Sequence, residues 1–254
     1  MKIVASIQAR LGSTRLPGKV LKEIHGKPML YWHVERVKKA RLLDDVIIAT
    51  TTNPKDDEII RFCEKYNYKY FRGSEDDVLE RISALIIENK IDIHVELFGD
   101  SPLSDPQIID EFIGFLLKNY NSTDFVSNSI KTTYPPGQEV LVYKGETLLK
   151  ANELVSKNSK LREHVSIHIY KNPEIFNVIN IEAPYYFNYI DIFLEVDTAE
   201  DFSLIEKIFV HFFDRNIYHF SLSQILEFVI NNPSLKKINN QVERRWLKYR
   251  DDNE

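Results

Sequence analysis

Apolar runs of strand length recur along the chain, as KIVASIQA, DDVIIATT, HVELFG, DFVSNS and a later run around FLEVDT, and segments of helical period lie between them. Between the first two runs, PMLYWHVERVKKARL places Leu30, Val34 and Val37 on one helical face. Between the second and third come DDEIIRFCEKY and DDVLERISALIIENK, both amphipathic by spacing. This alternation predicts βαβ units, and hence an α/β fold with a mostly parallel, doubly wound sheet carrying helices on both faces. In such sheets ligands collect at the carboxyl ends of strands, so the residues just beyond each strand carry the most weight.

The pattern changes in the middle. From Asn128 to Tyr143 the chain reads NSIKTTYPPGQEVLVY, where Pro135, Pro136 and Gly137 break regular structure before a short alternating strand. This predicts a small excursion or lid hairpin. LREHVSIHIYKNP predicts a helix that stops before Pro173, and the aromatic-rich PYYFNYIDIF follows. AEDFSLIEKIFVHFF and SLSQILEFVINN predict two more helices, and the charged tail QVERRWLKYRDDNE is expected to fray or dock loosely. The expectation is one domain spanning 1–254, with an excursion at about 128–190 inside it.

A chain of 254 residues with 43% hydrophobic and 28% charged residues has ordinary globular composition. The net charge of −5 argues against a dedicated nucleic-acid binder, although a local basic loop survives inside an acidic protein. Cys63 is the single cysteine, which excludes an intramolecular disulfide and fits a reducing compartment, and its place in a helical pattern suits packing. Met1 leads directly into a strand, and no run of about 18 apolar residues occurs. The expectation is a soluble cytoplasmic protein with neither nucleic-acid nor membrane partners.

Chemistry is concentrated after the first strand. There RLGSTRLPGK, ending at Lys19, combines two glycines with two arginines and a lysine. Gly12 and Gly18 let the backbone turn and expose N–H groups, while Arg10, Arg15 and Lys19 supply positive charge, so the loop suits a polyphosphate. The Walker spacing is not met, because five residues separate Gly12 from Gly18 and Val20 follows Lys19. G-x-G-x-x-G is absent too. The plain alternative is a basic surface loop after an edge strand.

Asp100 follows HVELFG directly, in GDSPLSDP, and a carboxylate there is well placed to hold a divalent ion, best Mg²⁺. Asp105 reads better as a helix N-cap before PQIIDEFIGFLL. Asp197, in LEVDTAEDF, is a second strand-end acid, with Thr198 beside it as a cap; together Asp100 and Asp197 can converge on one Mg²⁺. Arg72, Gly73 and Ser74 form a further loop that can grip a base or ribose, or in which Ser74 simply caps a helix starting at Glu75. Arg162, Glu163 and His164 form a cluster suited to an anionic or hydroxylated substrate. His164 and His168 are four apart, but the H-E-x-x-H order is not met, which argues against zinc, and no G-x-S-x-G elbow appears.

Read in order, these strings resemble the SpsF-like cytidylyltransferase family, relatives of CMP-Kdo and CMP-sialic acid synthetases. The opening I-Q-A-R-x-G-S-T-R-L-P-G-K stands at Ile7 to Lys19, and R-G-S, G-D-x-P, Y-P-P-G, R-E-H-V and V-D-T-x-E-D follow between Arg72 and Asp201. The resemblance implies a nucleotide-diphospho-sugar transferase-like fold and transfer of CMP from CTP to an acceptor oxygen with release of pyrophosphate. It implies nucleotide contacts from Gln8, Arg10, Gly12, Ser13, Arg15, Lys19, Arg72, Gly73 and Ser74, with Lys19, Arg10 and Asp100 serving the chemistry and Asp100 and Asp197 holding Mg²⁺. Tyr134, Pro136, Glu139, Arg162, Glu163 and His164 become acceptor-side walls, and the 128–190 excursion becomes the acceptor and dimerisation part of an expected homodimer. An acidic sugar, a sugar phosphate or a smaller phosphorylated or carboxylated compound all remain open as acceptor. One position departs: the family often carries arginine before its G-D-x-P, whereas this chain has Glu96, Leu97 and Phe98. The competing readings are a nucleotidyltransferase for a sugar 1-phosphate with another base, and a non-catalytic nucleotide-binding module.

Overall fold

The strand β1 (Ile3–Gln8) buries Val4, Ala5 and Ile7 completely, as a strand covered on both faces requires. After the loop that follows it, β2 (Glu23–Ile24) and β3 (Lys27–Pro28) make a short antiparallel ribbon leading into α1 (Met29–Val37). Strands and helices then alternate through β4 (Asp45–Thr51), α2 (Asp57–Tyr66), β5 (Lys69–Gly73), α3 (Val78–Asn89), β6 (Ile93–Phe98) and α4 (Pro106–Lys118). β7 (Phe125–Ser127), β8 (Leu141–Lys144), α5 (Gly145–Leu154), α6 (Ile167–Tyr170), β9 (Val178–Asn180), α7 (Ala199–Phe213), α8 (Leu222–Asn231) and α9 (Pro233–Lys236) follow. The computed structural model describes residues 1–244.

The seven-stranded sheet has the order β5-β4-β1-β6-β8-β7-β9. β5, β4, β1 and β6 are mutually parallel, with Ile7 opposite both Ile48 and Leu97, while β8 runs antiparallel to β6 and β7. Alternation along each strand divides the core between two faces. Ala5, Ile7, Ile48, Val95 and Leu97 pack with α1, α2, α4, α7 and α8, whereas Val4, Ile47, Phe125 and Tyr143 pack with α3, α5 and α6. The predicted doubly wound α/β sheet is therefore present.

Local chemistry sets the helix boundaries. Asp105 caps α4 through the Gln107 N–H at 2.8 Å, with Pro106 at the first helical position, as its sequence context predicts. Thr198 and Asp201 form a reciprocal capping box at the start of α7. Cys63 is buried in α2, where burial pushes its thiol up to about 12.

Several expected elements are corrected. The FLEVDT run is not a strand: Ile192, Leu194 and Val196 are buried in alternation, but their backbone bonds go to loops, Leu194 N–H to the Pro136 carbonyl at 2.7 Å and Val196 N–H to that of Asp100 at 2.8 Å. VLVY forms β8, which pairs antiparallel with β7 as a hairpin with a long connection, but this hairpin is built into the main sheet beside β6 and is not a lid over it. The helix expected at Glu75 begins at Val78 with Asp77 as its cap, because the Ser74 hydroxyl accepts from the Asp77 N–H instead. The LREHVSIHIY helix splits into a 3₁₀ turn at Lys160–Glu163 and the short α6. β5 and β9 are strands that no apolar run announced. Of the tail, residues 241–244 are described and Arg244 is firmly buried; the rest lies outside the described residues.

Candidate active site

Beyond Gln8 the chain enters a loop anchored by Asp56, which sits just ahead of α2. One Asp56 carboxylate oxygen accepts from the Leu11 N–H at 2.7 Å, and the other accepts from the Thr51 hydroxyl. The loop closes through the Gly18 N–H to the Leu11 carbonyl at 3.2 Å. Gly18 has φ +68°, where a side chain would be strained, and a Cβ added at Gly12 would meet nothing within 4 Å. The backbone at Gly12 thus faces open space. Arg10 is exposed beside it.

Lys19 opens a 3₁₀ turn, and its ammonium reaches the loop just after β6 and the Val196–Asp197 segment. Nζ donates to Asp100 at 3.1 Å, to Asp197 at 3.0 Å and to the Val196 carbonyl at 2.6 Å. Burial alone would lower the Lys19 pKa, but the charges of Asp100 and Asp197 outweigh it and hold it above the ordinary lysine value. The second oxygen of Asp197 is bound by Arg15, which also donates to the Glu243 carbonyl at 3.0 Å. Asp100 and Asp197 are neighbours because Val196 N–H binds the Asp100 carbonyl. Two carboxylates far apart in sequence therefore share one cation.

Asp197 is itself held by Asp201. One Asp201 oxygen accepts from the Asp197 N–H at 3.0 Å and the Thr198 N–H at 2.9 Å, and the other accepts from Asn239 and Arg244, each at 2.8 Å. Arg244 also pairs with Glu195 and lies over the Phe193 ring. Asp201 is completely shielded from solvent, and its partners hold its pKa below the usual carboxylate value against the opposing effect of burial. A cavity of about 360 Å³ opens beside Arg15, lined also by Thr198, Gln241 and Val242.

This arrangement can be set against known proteins. Residues 4–233 match the family model described as cytidylyltransferase. The chain belongs to the cytidylyltransferase family. It is 37% identical to the uncharacterized protein MJ1063 of Methanocaldococcus jannaschii, covering 96% of this chain and 97% of that protein. It is 30% identical to the spore coat polysaccharide biosynthesis protein SpsF of Bacillus subtilis, covering 91% and 95% respectively. The solved structure of a cytidylyltransferase from Leptospira borgpetersenii superposes with a TM-score of 0.87 at 29% identity, over 96% of this chain and all of that one. The SpsF-like resemblance read from the motifs is thus confirmed, as is the nucleotide-diphospho-sugar transferase-like fold. The protein is a CTP-dependent nucleotidyltransferase.

In this cytidylyltransferase the residues expected on the nucleotide lie at and just beyond the carboxyl ends of β1 and β5. Gln8 ends β1, with its carboxamide held by Glu96. Arg72 donates to the Thr51 and Asn53 carbonyls and pairs with Asp57, so it braces the β4 and β5 ends. Gly73 passes so close to Arg81 that a Cβ would lie 2.6 Å from Arg81 Cγ. Ser13 sits within the loop, and its hydroxyl accepts from the Leu16 N–H at 3.3 Å.

The expected acceptor walls are more divided. Tyr134 is buried against Phe112 and Phe187, a packing position. Arg162 is likewise committed: it donates to Asp77, Asn152 and the Val155 carbonyl, tying its segment to the cap of α3. Glu163 and His164 are exposed and pair only with each other at 3.6 Å among the described contacts. The Pro136 carbonyl supports Leu194, and Glu139 accepts from the Gly137 N–H at 2.9 Å, with burial and then the Asp100 charge pushing its pKa upward. Pro136 and Glu139 therefore stand nearest the aspartates. Sequence reasoning missed Asp56, Asp201 and Arg244: the first two stand at helix starts, where an acid commonly serves only the helix, and the last lies in the charged tail.

Glu96 replaces the arginine that the family resemblance leads one to expect, and the structure gives the reason it is tolerated. It accepts from Gln8 and from Tyr143 at 2.9 and 3.1 Å, so its carboxylate is paired within the sheet. The donor set at Asp100 and Asp197 fits Mg²⁺: two converging carboxylates, already sharing the Lys19 cation, match an ion that takes one or two carboxylates and completes its shell with phosphate oxygens.

Proposed function

We propose that this enzyme transfers CMP from CTP to an oxygen of an acidic sugar or a similar small acceptor, releasing pyrophosphate, as a step in making a surface polysaccharide or related glycan. The observation that carries the reading is the Lys19 ammonium shared by Asp100 and Asp197 at the mouth of a glycine-turned basic loop. An acceptor oxygen must attack the α-phosphorus in line with the departing pyrophosphate, so the protein's task is positioning and charge neutralisation. Arg10, Arg15, Lys19 and the loop N–H groups would take the phosphates, and Gln8 with the Arg72–Ser74 turn would take the nucleoside. Asp100 and Asp197 would hold Mg²⁺, which supplies positive charge to phosphate oxygens and polarises the acceptor hydroxyl. Pro136 and Glu139 would face the acceptor, with His164 and Glu163 further out.

The test is thermal shift with CTP, UTP, GTP, ATP and dTTP in the presence of Mg²⁺, followed by pyrophosphate release with CTP over a panel of acidic sugars. A ligand at a hundred times its Kd adds about 2.7 kcal/mol of stability, so CTP should stand out clearly. Equal shifts with all five nucleotides, or no pyrophosphate release with any acceptor, would defeat the proposal.

A further inference from the structure

A line of buried side chains crosses the sheet beneath the nucleotide end, and its hydrogen bonds have one direction. Ser6, His94 and Tyr143 are completely shielded from solvent and Glu96 nearly so. His94 meets Ser6 Oγ and Tyr143 Oη, each at 2.8 Å, and the Tyr143 hydroxyl donates to one Glu96 oxygen at 3.1 Å. Because Tyr143 donates to Glu96, it must accept from His94 Nδ1–H, which leaves His94 Nε2 to accept from Ser6. Burial holds the His94 pKa at about 3, so the ring is neutral and this tautomer is the one the chain of bonds requires.

The other Glu96 oxygen faces Gln8 Nε2 at 2.9 Å. An ionised carboxylate only accepts, so the Gln8 amide must turn its NH₂ toward Glu96 and its oxygen toward Arg81, whose guanidinium lies 3.4 Å from it. Arg81 is itself fixed by the Ser74 carbonyl. The carboxamide thus has one orientation, and its second N–H is left at the half-buried end of β1.

We propose that Glu96 is a positioning residue that locks Gln8 as a hydrogen-bond donor toward the nucleotide base, selecting a pyrimidine whose edge accepts there over one whose edge donates. This rests on the reading that Gln8 lies on the nucleotide. At ring position 3 cytosine presents a bare acceptor nitrogen and uracil an N–H, so a donor that cannot turn prefers CTP to UTP. A carboxamide at position 96 would present its own NH₂ to one of the two neighbours and allow Gln8 to turn over.

The experiment measures Kd for CTP and UTP with Mg²⁺ by isothermal titration at pH 8, above the value of about 7 to which burial pushes Glu96. Wild type should favour CTP, and Glu96→Gln should cut the CTP-to-UTP preference about tenfold, mostly through weaker CTP binding. A purely structural role would weaken both nucleotides equally and leave the ratio intact, which overturns the proposal. Glu96→Met, which removes the acceptor and lets Gln8 turn, serves if Glu96→Gln does not fold, with an expected loss of about tenfold in the ratio; an unchanged ratio there is equally adverse. Gln8→Ala separates the two levels. If it leaves CTP binding untouched, the placement of Gln8 on the base is wrong; if wild type does not bind CTP, the proposed function itself fails.

Discussion

Replacing Arg244 with methionine removes the cation that balances Asp201 and keeps most of the apolar stem that covers Phe193. Both side chains of this pair are almost completely buried, at 1% and 0% exposure, so the loss leaves an unpaired charge in the interior. Breaking a buried pair in this way costs about 3–5 kcal/mol. For a chain of this size about 1 kcal/mol moves the melting midpoint by roughly 2–4 °C, so the variant should melt roughly 6–20 °C lower at neutral pH. Asp201 has a folded pKa below its ordinary value of 3.8, so its contribution is present above that value and is lost as pH falls through the folded pKa. The gap between wild type and Arg244→Met should accordingly be full at pH 7.5 and shrink on acidification below about pH 4. Adding Asp201→Asn should recover part of the loss, because the buried charge is gone. Thermal denaturation by circular dichroism reads all three. A midpoint within about 2 °C of wild type, or a gap that does not shrink in acid, would refute the buried-pair account.

Lys19→Ala should lower pyrophosphate release by about a hundredfold or more, since it removes the cation aimed at departing charge; near-normal turnover would take Lys19 out of the chemistry. Gly137→Ala forces a side chain at φ +97° with its Cβ 2.5 Å from the Leu194 carbonyl carbon. It should destabilise the chain by about 2–4 kcal/mol and weaken Mg²⁺·CTP binding, because Leu194 leads to Asp197; denaturant titration showing less than about 1 kcal/mol would contradict this. His33 is buried beside Ser104, and burial lowers its pKa from 6.5 to about 3, so it contributes stability above pH 6.5 that is lost as pH falls toward 3. His33→Gln should therefore flatten the fall in stability between about pH 6 and pH 4 by up to about 1.4 kcal/mol per pH unit, and equal slopes would count against it.

The sheet was legible where strands are buried on both faces. β1, β4 and β6 are continuous apolar runs because helices cover them from both sides. β5 was not, since an edge strand beginning with the exposed Lys69 and Tyr70 has little apolar pattern to read. FLEVDT misled for a definite reason: its alternation reflects genuine burial, yet its backbone bonds go to the Pro136 and Asp100 carbonyls and not to a neighbouring strand. In the candidate site, Lys19 and Asp100 were legible because a glycine-turned basic loop and a strand-end acid have few other uses, whereas Asp197 was picked out by an alternating buried run that is not a strand. Asp56, Asp201 and Arg244 were not, since helix-cap acids and charged tails are common and only tertiary contact gives these three their partners.

The contact between Arg15 and the Glu243 carbonyl joins residues 228 positions apart, and the Arg244–Asp201 pair lies beside it. Closing so long a loop adds little entropy cost beyond that of a moderate one, but it dictates sequence in time. During synthesis the basic loop emerges first, and the segment that steadies both its arginine and the Asp197 turn emerges only after residue 244 has left the ribosome. The last strand, β9, ends at Asn180, so every strand of the sheet precedes that segment in the order of synthesis. Residues 239–244 hold Asp201 and Arg15 at once, so the last described segment and the loop after β1 are tied into one unit of the folded chain.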